Sequence, residues 1–408
     1  MNASKNPLDE VFNTFLDSPK IFTNREALTC SHVPPSLPHR ENQIRQLGQR
    51  LACVLRGSRP SNVFIYGKAG TGKTAVVKYV VNRLKKRANS LDFPVNFVYI
   101  NCRLVDTHYR VLANLCGYLG EDVPFTGLPT DAIYNRFCEA VEKKKGLFII
   151  ILDEIDALVK KNGDESLYNL TRINIRLESA QVSLIGISNE LSMKDSLSTP
   201  VLSSLSEEEI VFPPYTAQEL QTILTERVKI AFNENTLPQP IVNLIAALAA
   251  REHGDARRAI DLLRIAGEIA ERDASLRVKD VHVQEARTTL ENKAVQTALT
   301  TLPLQSKLII GTIFMIEKNA EGKIQELNTG EVYTEYRSLC IKTGVDILTQ
   351  RRVSDLLTEL DALGIISAKV VSNGRYGRSK IIKTTISKRM ISDMLFQEKQ
   401  LSSLVKTF

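Results

Sequence analysis

Residues 67–74 read Gly-Lys-Ala-Gly-Thr-Gly-Lys-Thr and fit the pattern G-x-x-x-x-G-K-[ST]. They follow a short apolar strand predicted over residues 62–66 and precede a helix predicted to run to Arg87. Glycines at this spacing let backbone N–H groups turn inward around phosphates, while Lys73 supplies positive charge and the Thr74 hydroxyl can ligate Mg²⁺. This context favours an ATP or ADP site over a chance glycine turn. The predicted binding residues are Gly67, Lys68, Ala69, Gly70, Thr71, Gly72, Lys73, Thr74 and Ala75.

A second apolar run, residues 147–152, ends in the acidic pair Asp153 and Glu154. Next to a phosphate loop, Asp153 is placed to hold magnesium through water and Glu154 to polarise the attacking water. Acidic residues that merely cap a strand or begin a helix are the alternative for an isolated pair, and the phosphate loop argues against it. Asp156 is expected to be a surface or capping residue. The sequence thus predicts Glu154 and Asp153 as catalytic residues and a magnesium site at Thr74 and Asp153.

Short apolar strands alternate with helices from residue 37 to residue 213. Beyond the first strand, they are predicted at residues 95–101, 147–152 and 182–188, with helices between them. Alternation of this kind predicts a parallel sheet covered by helices on both faces, which is an α/β fold. We therefore expect one domain over residues 37–213.

The rest of the chain divides into three parts. Residues 1–36 have little apolar periodicity and are rich in Pro, Ser, Asn and Thr, so we expect a flexible N-terminal arm. After Pro213 and Pro214 the strands stop, and helical spacing over residues 214–295 predicts a separate helical domain. Three helices and a β-hairpin are predicted over residues 296–408, a pattern typical of a winged helix-turn-helix domain.

Composition limits the class of protein. The chain has 408 residues, a net charge of +7 and a pI of about 9.0, which suggests an anionic partner, although a modest basic excess is also common in soluble proteins. Its longest apolar run is far shorter than the ~20 residues that cross a bilayer. The six cysteines are scattered and never form C-x-x-C, so neither a zinc site nor a disulfide framework is predicted. We expect a soluble intracellular protein without a membrane partner.

Basic residues concentrate near the C-terminus. Residues 365–390 contain seven Lys and Arg residues and no Asp or Glu. Two arginines begin the last helix of the trihelical unit, where side chains are well placed to meet a DNA groove. A solvated charged face is the alternative for an isolated basic run, but its position on a winged helix favours double-stranded DNA. The predicted DNA contacts are Arg351, Arg352, Arg375, Tyr376, Arg378 and Lys380.

The motifs, taken in order, resemble those of one protein family. The phosphate loop, the box at residues 153–156, the pair Ser188-Asn189, residues 254–263 (GDARRAIDLL) and a terminal winged helix are similar to the archaeal origin-recognition/Cdc6-type replication initiators. The resemblance runs from about Leu37 to the C-terminus. It implies an AAA+ ATPase core, an α-helical lid and a C-terminal winged-helix domain that binds DNA.

The resemblance also implies roles that the residues alone leave open. Asn189 would be the sensor-1 residue and Arg257 the sensor-2 arginine that reaches the γ-phosphate, although a turn asparagine and a solvated arginine remain alternatives. Residues 37–41 are similar to the family's segment that lies against the adenine. The implied nucleotide contacts in this segment and in the lid are Pro38, His39, Arg40, Tyr215 and Arg257. Residues 105–119 fall where the family carries a helical insertion that touches duplex DNA.

The resemblance implies a DNA replication initiator that binds origin DNA and ATP or ADP and helps recruit or load the replicative helicase, with slow hydrolysis as a switch. Paralogous initiators are further candidate partners, and we expect a monomer in the cytoplasm, associated with the nucleoid. A nucleotide-binding DNA-binding regulator that loads no helicase is the main alternative. A protein-remodelling ATPase is a third, but it needs an arginine finger between subunits.

The chain departs from the family at that arginine finger. Related sequences carry an arginine in a D-P-R-V-like stretch, whereas residues 198–205 read Ser-Thr-Pro-Val-Leu-Ser-Ser-Leu and align Pro200 with it. No arginine occurs between Arg176 and Arg227. An arginine finger contributes about 10³–10⁵ to a hydrolysis rate, so the sequence predicts slow turnover with weak dependence on self-assembly.

ATP hydrolysis per molecule should therefore be slow and nearly independent of protein concentration, because no neighbouring subunit supplies a finger. Phosphate release, measured over a wide range of chain concentration, should give a constant rate per molecule. A rapid rate that rises steeply with concentration would contradict this prediction.

Overall fold

The computed structural model describes residues 8, 12, 16, 19–29, 32, 34–91, 93, 95–105, 107–124, 127–205, 208–319, 327–372 and 378–398. The chain divides into two compact units, residues 1–286 and residues 287–408, and each has its own apolar core. None of the helices in the described part of the chain combines the length and the apolar character that crossing a bilayer requires.

A parallel sheet forms the centre of the first unit. Its strands within the described residues are β1 (Val63–Tyr66), β2 (Val95–Asn101), β3 (Gly146–Asp153), β4 (Ala180–Ser188) and β5 (Glu208–Val211). They pair in the order β2-β3-β4-β1-β5, and every pairing is parallel. Parallel strands place their carboxyl ends at one edge of the sheet, so the residues that follow β1, β3 and β4 come together there.

The central strand β3 is buried on both faces. It contributes Phe148 and Ile150 to one apolar cluster and Ile149 and Ile151 to another. Alternate residues of a strand point to opposite faces, so this near-continuous apolar run requires a sheet that is covered on both sides. The predicted α/β core is confirmed.

Helices cover the sheet of the first unit. They are α1 (Glu41–Leu51), α2 (Lys73–Asn89), α3 (His108–Leu119), α4 (Thr130–Lys144), α5 (Ile155–Asn162), α6 (Glu165–Thr171) and α7 (Thr199–Leu205). The short helix α6 ends at Thr171, and a 3-10 turn follows at Ile173–Ile175. The helices α5 and α7 and the strand β5 were not predicted.

Helices without strands form the last part of the first unit and lead out of it. They are α8 (Ala217–Ala231), α9 (Gln239–Arg251), α10 (Ala256–Arg272) and α11 (Asp280–Thr301). Thr216 and Glu219 form a capping box at α8, and the Asp255 carboxylate accepts hydrogen bonds from the backbone N–H groups of Arg257 and Arg258. These caps pair the N–H groups that a helix N-terminus leaves free. The cap at Asp255 fixes the turn that carries Arg257.

Part of the N-terminal segment is packed against these helices. The polar composition of residues 1–36 predicts a flexible arm. In the structure, however, Ile21, Ala27 and Leu28 have no exposed surface. Residues 25–28 form a 3-10 turn, and the Asn24 side chain accepts a hydrogen bond from the backbone N–H of Glu26. The expectation of a flexible arm is corrected for these residues, because their burial depends on helices far along the chain that local spacing does not reveal.

The second unit has the predicted winged-helix fold. Its elements beyond α11 are α12 (Leu304–Asn319), β6 (Leu327–Asn328), α13 (Thr329–Thr343), α14 (Gln350–Ala362), β7 (Ile366–Ser372), β8 (Arg378–Thr384) and α15 (Lys388–Gln397). The antiparallel strands β7 and β8 form the hairpin, and β6 pairs with β8. The three helices and the hairpin are confirmed, whereas β6 and α15 were not predicted. Arg375 and Tyr376 lie outside the described residues.

Candidate functional site

The loop between β1 and α2 carries the predicted phosphate-binding residues. Gly70 and Gly72 have φ angles of +72° and +88°, a left-handed backbone that glycine adopts without strain. Space also requires glycine, since a Cβ on Gly72 would lie 2.8 Å from the Tyr215 hydroxyl oxygen. Thr71 is almost fully buried, and its hydroxyl donates to the Lys68 carbonyl at 2.8 Å. The loop thus has a fixed backbone that leads directly into the N-terminus of α2.

The Lys73 ammonium group lies inside this loop. Its Nζ donates to the carbonyl oxygens of Gly67 and Lys68 at 2.8 and 2.7 Å. Burial lowers the pKa of Lys73 to about 8, while the carboxylates of Asp153 and Asp156 act in the opposite direction. A phosphate at this place would favour the charged form of the lysine. Lys73 is therefore held where it can interact with an anion that enters the loop.

Thr74 and Asp153 come together at the carboxyl ends of β1 and β3. The Thr74 hydroxyl donates to Oδ2 of Asp153 at 2.7 Å, and the Tyr99 hydroxyl donates to the same oxygen at 2.7 Å. The backbone N–H of Glu154 donates to Oδ1 at 2.9 Å. A hydroxyl and a carboxylate are hard oxygen ligands of the kind that Mg²⁺ prefers, so these residues fit the predicted metal site. Tyr99 is an unpredicted neighbour, and burial raises its pKa, which keeps its hydroxyl a donor.

Glu154 and Asn189 lie beside this pair. Glu154 has a φ of +55°, which is uncommon for a residue other than glycine, and its Oε2 lies 3.8 Å from Nη1 of Arg103. The Asp156 carboxylate accepts hydrogen bonds from the backbone N–H of Asn189 at 3.0 Å and from the Ser188 hydroxyl at 3.2 Å. Asp156 was expected at the surface or as a cap, and here it fixes the turn that carries Asn189.

The helical part of the first unit meets the phosphate loop at Gly70. The backbone N–H of Ala256 donates to the Gly70 carbonyl at 3.1 Å. A Cβ on Gly70 would lie 1.7 Å from Oδ1 of Asp255, so the glycine leaves room for the carboxylate that caps α10. Arg257, in the first turn of α10, lines the same cavity as the loop. The start of α10 is thus part of the site.

Arg40 joins the segment before α1 to the phosphate loop and to the helical part of the first unit. Its side chain donates to the carbonyl oxygens of Thr71 at 2.9 Å, Pro213 at 2.7 Å and His39 at 3.1 Å. The guanidinium carbon lies 3.7 Å from the centre of the Tyr215 ring, which is a cation–π contact. Burial lowers the pKa of Arg40, and Tyr215 beside it acts in the opposite direction.

A cavity of about 310 Å³ joins these groups. The predicted residues that line it are Pro38, Ala69, Gly70, Gly72, Lys73, Thr74, Ala75, Asp153, Glu154, Asn189, Tyr215 and Arg257. The other predicted nucleotide residues are not part of this lining, and they donate or accept the hydrogen bonds given above: His39, Arg40, Gly67, Lys68 and Thr71. Four further lining residues were not predicted, because no motif marks them: Ile223, Arg227, Ile230 and Ile260.

The second unit carries the predicted DNA contacts. Arg351 and Arg352 are exposed in the first turn of α14, which Thr349 caps. Nζ of Lys380 donates to the Thr358 hydroxyl at 2.6 Å, so this lysine ties β8 to α14. Arg378 begins β8. The structure therefore brings Lys380 next to the helix that carries the two arginines.

The contact between Gly70 and Asp255 predicts a specific effect of a methyl group. Gly70→Ala should lower the free energy of unfolding by about 1–3 kcal/mol, because alanine is strained at this positive φ and its Cβ displaces Asp255. Urea unfolding of the chain without nucleotide measures the change. Gly117→Ala is the matched control, since this helical position has open space within 4 Å and should gain stability slightly. An equal change in the free energy of unfolding of the two variants would contradict the contact between Gly70 and Asp255.

Three family models match the chain. A model described as an AAA ATPase domain matches residues 36–185, and a Cdc6 AAA+ ATPase-type lid domain matches residues 221–288. A CDC6 C-terminal winged helix domain matches residues 297–394.

Proteins of similar length match nearly all of the chain. The ORC1-type DNA replication protein of Thermococcus onnurineus is 50% identical over 404 residues, which cover 98% of this chain and 97% of that protein. The protein of the same name from Pyrococcus furiosus is 51% identical over 392 residues, covering 95% and 93%. The structure of the Aeropyrum pernix ORC1 protein in complex with DNA matches with a TM-score of 0.83 and 45% identity, covering 94% of this chain and 99% of that one. The chain therefore belongs to the archaeal ORC1/Cdc6-type family of DNA replication proteins.

Proposed function

We propose that this chain is a replication initiator that binds ATP or ADP with Mg²⁺, binds double-stranded DNA at a replication origin and helps recruit the replicative helicase. The observation that carries the proposal is that one cavity is lined together by Lys73 and Thr74 of the loop, the acidic pair, and Arg257 of the lid. The DNA partner is supported by the winged-helix fold of the second unit and by the similar ORC1 protein, which was solved in complex with DNA.

Each side chain at the cavity has a distinct role in this proposal. Backbone N–H groups of the loop and the Lys73 ammonium bind the β- and γ-phosphates. Thr74 and Asp153 would hold Mg²⁺, Asp153 through water, and the ion would supply positive charge beside the phosphates. Glu154 accepts a proton from the attacking water, which Asn189 orients. The water oxygen bonds to the γ-phosphorus, the bond to the bridging oxygen breaks, and ADP and phosphate result.

Arg257 connects the nucleotide to the lid. It lies in the first turn of α10, the helix whose N-terminus contacts Gly70 of the loop. A γ-phosphate adds negative charge beside this arginine, so ATP should hold the lid against the loop more firmly than ADP does. Without an arginine at position 200, hydrolysis is slow, and the bound nucleotide sets the state of the lid for a long time.

The second unit supplies the DNA contacts in this proposal. Arg351 and Arg352 occupy the start of the helix that a winged helix-turn-helix presents to the major groove. The basic segment over residues 365–390, which includes the strands β7 and β8, adds phosphate contacts. Because phosphate neutralisation releases counterions, such contacts make affinity depend strongly on salt.

The initiator role predicts a footprint on the host's replication origin and co-purification of the replicative helicase with the DNA-bound chain. Lys73→Ala should abolish ATP binding and the effect of ATP on helicase capture, because it removes the charge that the phosphates require. Lys143→Ala, at an exposed lysine on α4, is the matched control and should behave as the unchanged chain. Absence of a footprint would contradict the proposal, and a footprint without helicase capture would indicate a DNA-binding regulator instead.

Replacement of both Arg351 and Arg352 by alanine should weaken DNA binding and reduce the slope of log affinity against log salt by about one for each phosphate that the variant no longer neutralises. Fluorescence anisotropy with duplex DNA at several salt concentrations measures both quantities. Arg272→Ala, at an exposed arginine of the lid, is the control and should leave the slope unchanged. An unchanged slope in the double variant would show that these arginines do not meet phosphates.

A further inference from the structure

The N-terminal segment that was expected to be flexible is attached to the lid along one edge. We call residues 21–29, 32 and 34–38 the strap. The Thr23 N–H donates to the Ala231 carbonyl at 2.9 Å, and the Asn233 N–H donates to the Ile21 carbonyl at 3.0 Å. The Phe22 ring packs on the Phe232 ring, with centroids 4.8 Å apart. Backbone and side-chain contacts thus dock the start of the strap on the end of α8.

An ion pair adds to this attachment. The Arg25 guanidinium binds the carboxylate of Glu271, a residue of α10 that is itself only 8% exposed. The same carboxylate accepts a hydrogen bond from the Ile21 N–H at 3.4 Å. Because these contacts involve both α8 and α10, they hold the strap to two helices of the lid.

Arg227 holds the middle of the strap from inside the lid. It belongs to α8 and is 7% exposed. Its Nη1 donates to the Ala27 carbonyl at 3.0 Å, and its Nη2 donates to the His32 carbonyl at 3.2 Å. A buried guanidinium is stable only when its donors are paired, so Arg227 and the strap carbonyls depend on each other. The Ser36 hydroxyl continues the contact, donating to Oε2 of Glu226 at 3.2 Å.

The strap and the lid together wall part of the nucleotide cavity. Strap residues from Thr29 to Pro38 line it, and so do Arg227 and the apolar side chains Ile223, Ile230 and Ile260 of the lid. The phosphate loop, with Lys73, lines another part of the cavity, next to the acidic pair and Arg257. A wall of prolines and isoleucines suits a planar, weakly polar base, whereas the loop suits phosphates.

We propose that Arg227 is a positioning residue that builds the nucleoside part of the cavity by holding the strap on the lid. This inference rests on the proposed function of the site as a nucleotide site. It means that the strap, rather than the phosphate loop, gives the chain its preference for a nucleotide over a bare phosphate chain. Preorganisation by Arg227 lowers the cost of ordering the strap when the ligand binds.

Calorimetric titration of the full chain with ATP and with inorganic tripolyphosphate separates the two parts of the cavity. Arg227→Met removes both hydrogen bonds to the strap, and Phe22→Ala loosens the strap at a place outside the cavity lining. In each variant, ATP affinity should fall by about tenfold, while tripolyphosphate affinity should stay within about twofold. Arg264→Met is the matched control, since Arg264 pairs with Asp261 and Glu268 on its own helix, and it should change neither affinity.

The outcomes distinguish this inference from the proposed function. Equal losses for ATP and tripolyphosphate, or an unchanged ATP affinity in both variants, would overturn the role of Arg227 and the strap. If the chain without substitutions binds ATP no more tightly than tripolyphosphate, the role of Arg227 and the strap is overturned as well. Failure of the unchanged chain to bind ATP would overturn the proposed nucleotide site and the inference together. Phe22→Ala keeps the test decisive if Arg227→Met does not fold.

Discussion

The buried guanidinium of Arg40 is the interaction on which the site depends. Arg40 is 2% exposed, and its donors are paired with carbonyl oxygens of Thr71, Pro213 and His39. A charged group removed from water is stable only when its donors are satisfied, so these three carbonyls must be held in place. They belong to the phosphate loop, the connection to the lid and the segment before α1. One side chain therefore fixes three parts of the chain that are distant in sequence.

The features that sequence could predict are those encoded by neighbouring residues. Residues 67–74 carry their own glycines, lysine and threonine, so the loop and the start of α2 follow from one motif. The strand β2 is found at its predicted residues 95–101, because a short apolar run between turns is a local signal. The acidic pair could be placed beside the loop because parallel strands end at one edge of a sheet.

The features that sequence could not predict are contacts between distant residues. The hydrogen bond from Tyr99 to Asp153 joins two neighbouring strands, and the contact of Gly70 with Asp255 joins the loop to the lid. The separation of the two residues in the sequence does not mark either pair as a contact, because the residues meet only when the sheet and the lid are assembled. The same holds for Ile21, whose burial could not be inferred from a segment rich in polar residues and proline. The winged helix, in contrast, was recognisable because the apolar residues of α14 recur at helical spacing and a β-hairpin is predicted directly after them.

Because Arg40 binds all three, the loop, the connection to the lid and the segment before α1 should respond to nucleotide as one unit. Hydrogen–deuterium exchange of the full chain, measured with and without ATP, tests it most directly. Backbone N–H groups in residues 34–40, 67–74 and 254–258 should become protected together, at the same ATP concentration. Protection confined to residues 67–74, with the lid and the N-terminal segment unchanged, would contradict it.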